Sequence, residues 1–197
     1  MIERRILALI ITAAAFIALR MQFDVPPLDP AIATPLAKLW RMAGYFTVLA
    51  NLALGVQMAA VAMNRPISGP RAAGFLVVMV VVGLTYHLLL SGLWKPQGMA
   101  FWADQGLHTA TPLLTVLWWV VFAPKDISAR HLPQWLIAPA LYGGYALVRG
   151  AMSGFWAYPF LDAAALGPVQ VAINLAGMLV GFAVVGIAVI GAARMLG

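Results

Sequence analysis

Six long apolar runs constrain the fold of this chain more than any other feature of its sequence. A helix needs about 20 mostly apolar residues to cross the hydrocarbon layer of a membrane, and each run is close to that length. The runs cover residues 2–23, 43–63, 72–94, 104–123, 132–151 and 168–195. They are continuous, whereas membrane β-strands are short and alternate apolar with polar residues. The sequence therefore predicts an all-α fold, with residues 1–197 forming a single domain that is an integral membrane bundle of six transmembrane helices.

The composition agrees with this prediction and argues against a water-soluble globular protein. Hydrophobic residues make up 63% of the chain, charged residues make up 9%, and the mean hydropathy is +0.94. A soluble domain carries about 25% charged residues. The first run follows Arg4 and Arg5, as in a signal peptide, but it continues through Arg20 without a small-residue cleavage site. We therefore expect it to be kept as the first helix.

The positions of the basic residues predict the topology. The net charge of +6 can indicate nucleic-acid binding, but lysine and arginine are scattered over the loops rather than gathered in one stripe. The expected partner is the membrane bilayer, and no nucleic acid is expected. With alternating helix directions, seven of these residues fall on the side of the termini and five on the other side. Because Lys and Arg are enriched in cytoplasmic loops, both termini are predicted to be cytoplasmic.

Three further patterns concern the helix ends and the contacts between helices. The longest connector, 26–42, contains a stretch from 29 to 40 that predicts a helix lying along the membrane surface. Aromatic residues near the predicted helix ends are typical of a belt at the membrane surface: Trp94, Trp102, Trp156 and Tyr158. Gly177 and Gly181 form a GxxxG pair, whose default use is close helix packing within the chain; a homo-oligomer contact is the alternative.

Polar residues inside the predicted helices collect toward one face of the membrane. Because an unpaired polar group is costly in hydrocarbon, such residues need a partner or a function. When the helices alternate in direction, the following residues lie in the leaflet opposite the termini: Thr47, His87, Asp104, His108, Arg149, Tyr158 and Asp162. The other leaflet contains mostly Leu, Val, Ala and Met between its loop charges. This one-sided clustering predicts a pocket that opens toward one surface.

Spacing assigns chemistry to part of this cluster. Residues four apart share one face of a helix, which pairs Thr47 with Asn51. The same spacing pairs Asp104 with His108, and a carboxylate so placed can hold an imidazole in one tautomer. A threonine with a histidine is the minimum for a hydroxyl nucleophile and its base. Simpler explanations stay open: a threonine can bond its own helix carbonyl, a histidine can be a plain interhelical partner, and Arg149 can snorkel to lipid head groups.

Three segments resemble motifs of the androgen-induced membrane-protein family. They are YFTVLANL at 45–52, DQGLHT at 104–109 and GFWAYPFLD at 154–162. The six-helix layout is similar to that of a bacterial subgroup, which implies a location in the bacterial inner membrane. The resemblance to the animal members implies a multi-pass threonine hydrolase that cleaves fatty acid esters of hydroxy fatty acids. It gives the nucleophile's role to Thr47 and the role of the essential histidine to His108.

The chain departs from the animal members at two places. They carry histidines shortly before the third motif, where this chain has Val148 and Arg149. Their polar residue after the threonine also falls closer to it than Asn51 falls to Thr47. These departures concern recognition of the substrate's head group more than the reaction itself.

The residues and the resemblance together predict a lipid-ester hydrolase without a metal or cofactor, with its pocket in the extracytoplasmic leaflet. Thr47 attacks the carbonyl carbon, His108 takes the proton, and water hydrolyses the acyl-threonine. The other expected roles are an orienting carboxylate (Asp104), an oxyanion donor (Asn51 or His87), a cation for a fatty-acid carboxylate (Arg149) and substrate support (Tyr158, Asp162). The alternative is a non-enzymatic lipid-binding or transport protein that uses the same residues.

Overall fold

The computed structural model describes residues 2–27, 29, 32–93 and 95–197, and this part of the chain is helical without any β-strand. Its α-helices are α1 (Ile2–Asp24), α2 (Pro35–Met42), α3 (Phe46–Ala62), α4 (Gly69–Thr85), α5 (Met99–Gln105), α6 (Thr111–Phe122), α7 (Leu132–Ser153) and α8 (Ala163–Leu196). The predicted all-α class is confirmed.

Short helical segments of other types extend or join these helices. A π-helical segment, Tyr86–Leu90, continues α4, and a second one, Gly106–Ala110, joins α5 to α6. Single 3₁₀ turns, Ala129–His131 and Pro159–Leu161, precede α7 and α8. Each of the six predicted apolar runs therefore coincides with one long helical stretch.

Three of these stretches are long and apolar enough to cross a membrane: Ile2–Asp24, Gly69–Leu90 and Ala163–Leu196. A fourth is counted if α2 and α3, which meet at 94°, form one broken span. α3 alone has 17 residues, or about 26 Å at 1.5 Å per residue, which is less than the hydrocarbon core of about 30 Å. The described residues thus contain three or four candidate spans, and the predicted number of six is not confirmed.

Hydrogen bonds from tryptophan side chains show that the helices alternate in direction. Trp118, near the end of α6, is fully buried and donates from Nε1 to the Arg4 carbonyl at 3.1 Å. Trp135, near the start of α7, donates to the Pro70 carbonyl at 2.8 Å. The starts of α1, α4 and α7 therefore lie at one end of the bundle with the end of α6. The main apolar core surrounds these contacts.

Glycines show where helices touch. Gly177 and Gly181 are exposed, and a Cβ added to either would meet no other atom within 4 Å. The default prediction that this GxxxG pair packs within the chain is therefore wrong, because α8 turns that face outward. Close contact occurs instead at Gly106, where a Cβ would lie 2.5 Å from the Cβ of Ala18. α1 approaches the second π segment this closely because residue 106 has no side chain.

α2 lies in the longest connector, where the sequence predicts a surface helix. The Thr34 hydroxyl caps its first turn, and Pro35 begins it with a backbone angle that is already suited to a helix. The helix thus starts later than predicted, and residues 30 and 31 lie outside the described part of the chain. Its outward face carries three exposed apolar side chains: Leu36, Leu39 and Trp40.

The residues of the predicted aromatic belt have different environments. Trp102 is exposed, whereas Trp156 packs against Gly150, where a Cβ would lie 2.2 Å from the indole ring. Tyr158 is buried and therefore does not belong to a surface belt. Trp94 lies outside the described residues.

Candidate functional site

A cavity of about 490 Å³ opens at the end of the bundle opposite the chain termini. Predicted site residues line it: Thr47, Asp104, His108 and Tyr158. Tyr86, Lys38 and Arg41 also line it, and none of these three is predicted as a site residue from the sequence. Most of the other lining side chains are apolar. The cavity therefore combines a few convergent polar groups with an apolar lining, as binding sites for small molecules do.

Thr47 is the second residue of α3 and is buried, with 6% of its surface exposed. The first amides of a helix have no carbonyl partner inside that helix. The Thr47 amide donates instead to the Tyr158 hydroxyl at 3.5 Å, and the Thr47 side chain lies beside the same phenol. The start of α3 thus places a threonine hydroxyl, a backbone N–H and a phenol side by side at the cavity.

Tyr158 reaches Thr47 from the segment between α7 and α8. Its ring meets the Tyr45 ring edge to face, with 6.0 Å between the ring centroids. Burial raises the pKa of Tyr158 above its usual value, although hydrogen bonds from Thr47 and Phe46 act in the opposite direction. The phenol is therefore neutral at pH 7 and can donate a hydrogen bond.

Asp104 fixes the orientation of the His108 ring. His108 Nδ1 lies 3.0 Å from the Asp104 carbonyl oxygen and 3.2 Å from Asp104 Oδ1. Both partners are acceptors, so the hydrogen of a neutral imidazole belongs on Nδ1 and the lone pair on Nε2. Nε2 makes no hydrogen bond within the described residues. This geometry agrees with the orienting role predicted for Asp104, and it leaves Nε2 able to accept a proton.

Tyr86 completes the surroundings of this pair. Its hydroxyl donates to Asp104 Oδ2, and its ring stacks on the His108 ring at 4.3 Å between centroids and 19° between planes. Asp104 is only 2% exposed, so these two partners occupy both oxygens of a nearly inaccessible carboxylate. The sequence held one signal for Tyr86: a tyrosine near the end of an apolar run needs a partner for its hydroxyl once it is buried.

Tyr86 and His108 both lie in π-helical segments, Tyr86–Leu90 and Gly106–Ala110. Such segments are rare and are frequent at functional sites. They change which side chains share a helix face, so a strict helical period does not reveal them. This is a physical reason why the pairing of Tyr86 with Asp104 is hidden in the sequence.

Asn51 connects the helix of Thr47 to the segment of His108. Its amide nitrogen donates to the Thr47 carbonyl at 2.9 Å and to the Leu107 carbonyl at 3.1 Å, while its Oδ1 accepts from the Thr111 hydroxyl at 2.6 Å. The two helical segments are therefore neighbours, as a nucleophile and its base require. Both amide hydrogens of Asn51 are in use, so the structure does not support it as an oxyanion donor.

Two other predicted site residues do not line the cavity. His87 is exposed, and its Nε2 lies 3.0 Å from the Thr109 hydroxyl oxygen. Asp162 caps α8, where its Oδ1 accepts from the Ala164 and Ala165 amides at 3.0 Å each. His87 therefore has no place as an oxyanion donor in this structure, and Asp162 acts as a helix cap.

Arg149 also does not line the cavity, contrary to the prediction. It is 5% exposed, and its guanidinium lies 4.2 Å from the centre of the Trp40 ring. Nη1 donates to the Tyr145 hydroxyl at 2.8 Å, and Nη2 donates to the Trp40 carbonyl in the last turn of α2. Cations at the C-terminal end of a helix are favourable for the helix dipole. Arg149 thus anchors α2 instead of facing a ligand.

The cations that do line the cavity are Lys38 and Arg41 on α2. Residues three apart lie on the same side of a helix. From the sequence both residues are expected only as loop charges that indicate topology, although their spacing is visible there. Among the described residues, no group of three or more metal-binding side chains is close enough to hold a metal ion.

Comparisons with protein families, curated proteins and solved structures find no match to this chain. Its function is therefore inferred from the site itself and from the three segments described above.

The first prediction concerns the bridge made by Asn51. Asn51→Ala removes three hydrogen bonds at a fully buried position. Each buried hydrogen bond contributes about 0.5–1.5 kcal/mol, so we expect about 2 kcal/mol or more of destabilisation, seen as a lower thermal midpoint in detergent. Gln170→Ala, which removes one exposed hydrogen bond, is the control and should have little effect. Equal midpoints for Asn51→Ala and wild type would contradict the bridge.

Proposed function

We propose that this protein is a membrane-embedded lipid-ester hydrolase, with Thr47 as nucleophile and His108 as general base. One observation carries the proposal: a single cavity is lined by a buried threonine at a helix start and by a histidine whose Nδ1 is held by Asp104. These residues supply the three kinds of group that acyl transfer uses: a nucleophile, a base and a group that orients the base.

The proposed reaction proceeds in two steps. Thr47 Oγ attacks the ester carbonyl carbon while His108 Nε2 takes the hydroxyl proton. His108 then gives this proton to the leaving alcohol oxygen as the carbon–oxygen bond breaks, which leaves an acyl-threonine. In the second step His108 takes a proton from water, the hydroxide attacks the acyl carbon, and the proton returns to Thr47 as the fatty acid leaves.

The developing negative charge on the ester oxygen needs hydrogen-bond donors. The Thr47 amide and the Tyr158 hydroxyl lie together at the nucleophile, 3.5 Å apart, and are the best-placed pair of donors. The start of α3 adds the positive end of a helix dipole. These groups replace Asn51 and His87 in the proposed mechanism.

The proposed substrates are fatty acid esters of hydroxy fatty acids or similar lipids. The mostly apolar cavity lining suits acyl chains, and the volume of about 490 Å³ lies within the range of about 300–1,000 Å³ of small-molecule sites. The resemblance of segments 45–52, 104–109 and 154–162 to the androgen-induced membrane-protein family supports the same substrate class.

We also propose that six helical stretches cross a bacterial inner membrane, with both termini in the cytoplasm and the cavity toward the extracytoplasmic leaflet. The excess of Lys and Arg on the side of the bundle where both termini lie supports this orientation. α3, which alone is too short for a full span, packs against the longer α1, and a bilayer can thin locally around a short segment at a modest cost in free energy.

A non-enzymatic lipid-binding or transport protein is the second candidate. The observation that favours it is that, among the described residues, the Thr47 hydroxyl makes no direct hydrogen bond to the His108 ring. Catalytic contacts often tighten only when substrate is bound, so this observation does not outweigh the shared cavity.

The second prediction separates these candidates. Thr47→Ala and His108→Ala should each lower hydrolysis of a lipid ester by at least about 10²-fold, and the double variant should lose little more, because a nucleophile and its base act as a unit. A fluorophosphonate probe should label wild type and fail to label Thr47→Ala.

The matched control is Thr109→Ala, a hydroxyl outside the cavity, which should keep both labelling and hydrolysis. Specific lipid binding by wild type with neither labelling nor hydrolysis would support the binding protein instead.

The third prediction concerns Tyr158. Because its pKa is raised, the phenol stays protonated through the usual alkaline range of an assay, and its loss as a donor should not limit activity there. Tyr158→Phe should lower kcat by about 10²-fold, as loss of an oxyanion donor does, with a smaller effect on KM. Tyr142→Phe is the control. The buried Tyr142 hydroxyl donates to the Gly44 carbonyl at 2.8 Å, and Tyr142 does not line the 490 Å³ cavity. Equal kcat for both variants would remove Tyr158 from the oxyanion site.

The fourth prediction concerns orientation. A reporter fused to the C-terminus that is active only in the cytoplasm should be active, and one that requires export should be silent. The opposite pattern would reverse the orientation and leave the geometry of the cavity unchanged.

A further inference from the structure

The cavity has a cationic edge that the proposed reaction does not use. Lys38 and Arg41 line it from α2, and neither forms an ion pair with a carboxylate among the described residues. Lys38 Nζ donates to the Phe23 carbonyl at 3.2 Å, which leaves two of its three hydrogens available. The Arg41 guanidinium lies 5.1 Å from the centre of the Phe155 ring and makes no hydrogen bond in the described part of the chain.

α2 holds these two cations in a fixed place. Its last turn is attached to α7 through Arg149, whose Nη2 donates to the Trp40 carbonyl and whose Nη1 donates to Tyr145. The Tyr145 hydroxyl in turn donates to the Ala43 carbonyl at 3.1 Å, just after α2. A buried cation and a phenol thus secure the C-terminal end of α2, and a prepositioned donor loses less entropy when it binds a ligand.

The surroundings of α2 indicate where its ligand comes from. The chain bends by 94° between α2 and α3, so α2 runs across the end of α3 rather than along it. Its outward side chains Leu36, Leu39 and Trp40 are exposed and apolar, with Leu36 at 77% exposure. A short helix with this face lies well at a membrane surface, where lipid head groups are found.

We propose that Lys38 and Arg41 form a binding site for the anionic end of a lipid ester, with the ester group extending toward Thr47. This inference rests on the proposed function, since it assumes an ester substrate. It adds that the substrate carries a free carboxylate or phosphate. Arg41 presents a planar fork of donors to two oxygens of the anion, and Lys38 adds a point charge. Two carboxylates also line the cavity: Asp29, in the same connector as the two cations, and Asp104, whose oxygens are engaged by Tyr86 and His108.

The site resolves a conflict between sequence and structure. A cation for a substrate carboxylate was expected at Arg149, whose guanidinium is instead engaged with Trp40 and Tyr145. Arg149 remains necessary for recognition in an indirect way, since it is a positioning residue for the helix that carries the binding cations.

The test measures binding separately from hydrolysis. The Thr47→Ala protein, which keeps its ligand uncleaved, is titrated in detergent micelles with a fatty acyl ester of a hydroxy fatty acid, with its methyl ester, and with an acyl ester of glycerol phosphate. Tryptophan fluorescence reports binding, because Trp40 lies on α2. We expect the anionic lipids to bind at least about tenfold more tightly than the methyl ester.

Charge-neutral variants locate the site. Lys38→Gln and Arg41→Gln, each added to Thr47→Ala, should weaken binding of an anionic lipid by about tenfold and change binding of the methyl ester by less than about twofold. Arg41→Lys should recover only part of the loss, because a point-charge ammonium does not reproduce the planar fork that binds a carboxylate or a phosphate. The matched control is Lys95→Gln, an exposed cation that does not line the cavity and should change neither.

The outcomes separate this proposal from the hydrolase proposal. Equal binding of anionic and methyl-ester lipids, or equal losses for Lys38→Gln, Arg41→Gln and Lys95→Gln, would overturn the anion site even in an active enzyme. An anion preference that depends on Lys38 and Arg41 supports the site even when wild type cleaves none of the lipids, and that result would contradict the hydrolase alone. Tighter binding of the phosphate than of the carboxylate would identify a phospholipid as the source of the anion.

Discussion

The buried amide of Asn51 is the contact on which the candidate site depends. One side chain binds the Thr47 carbonyl, the Leu107 carbonyl and the Thr111 hydroxyl, and so fixes the start of α3 to the segment that carries His108. In hydrocarbon a polar group cannot form hydrogen bonds with water instead, so these three bonds strongly favour one arrangement of the two segments. The approach of α1 to Gly106 presses the same segment from the other side. The relation between nucleophile and base is therefore set by interior packing, outside the reacting groups themselves.

Helical period and chain direction were enough to predict the part of the site that is local. Asp104 and His108 are four apart and pair as expected, and alternating helix directions correctly bring Thr47 and Tyr158 to the same end. What failed depends on contacts between distant segments. A sequence does not show that Asn51 uses both of its amide hydrogens on carbonyls, or that the π segment at Tyr86 turns its hydroxyl toward Asp104. The predicted number of six spans is not confirmed for a related reason: apolar composition indicates where a helix lies, while the bend before α3 shortens that helix.

Arginine and lysine were the residues whose roles the sequence described least well. Arg149 lies in an apolar run, and a buried charge suggests a function because its desolvation is costly. In the structure the desolvation of its guanidinium is offset by the Trp40 ring, the Trp40 carbonyl and the Tyr145 hydroxyl. Lys38 and Arg41 lie in a connector, where charged residues are common and do not by themselves indicate a binding site. In the structure Lys38 and Arg41 line the cavity and Arg149 does not, because Arg149 is engaged at the end of α2, the helix that carries the other two cations. Depth in the membrane alone is thus a poor guide to which cation meets a ligand.

The bond between Thr47 and Tyr158 links the two halves of the proposed mechanism. The Thr47 amide donates to the phenol oxygen of Tyr158, and His108 Nε2 has no partner in the described residues. When the Tyr158 hydroxyl donates to a substrate carbonyl, its oxygen still has lone pairs, so it continues to compete with His108 for the Thr47 hydroxyl. On the proposed mechanism the Thr47 hydroxyl therefore has to turn away from Tyr158 and toward His108 Nε2 before it attacks. Neither role can be assigned from Thr47 and His108 alone, because Tyr158 contacts the proposed nucleophile and is also a proposed donor to the oxyanion.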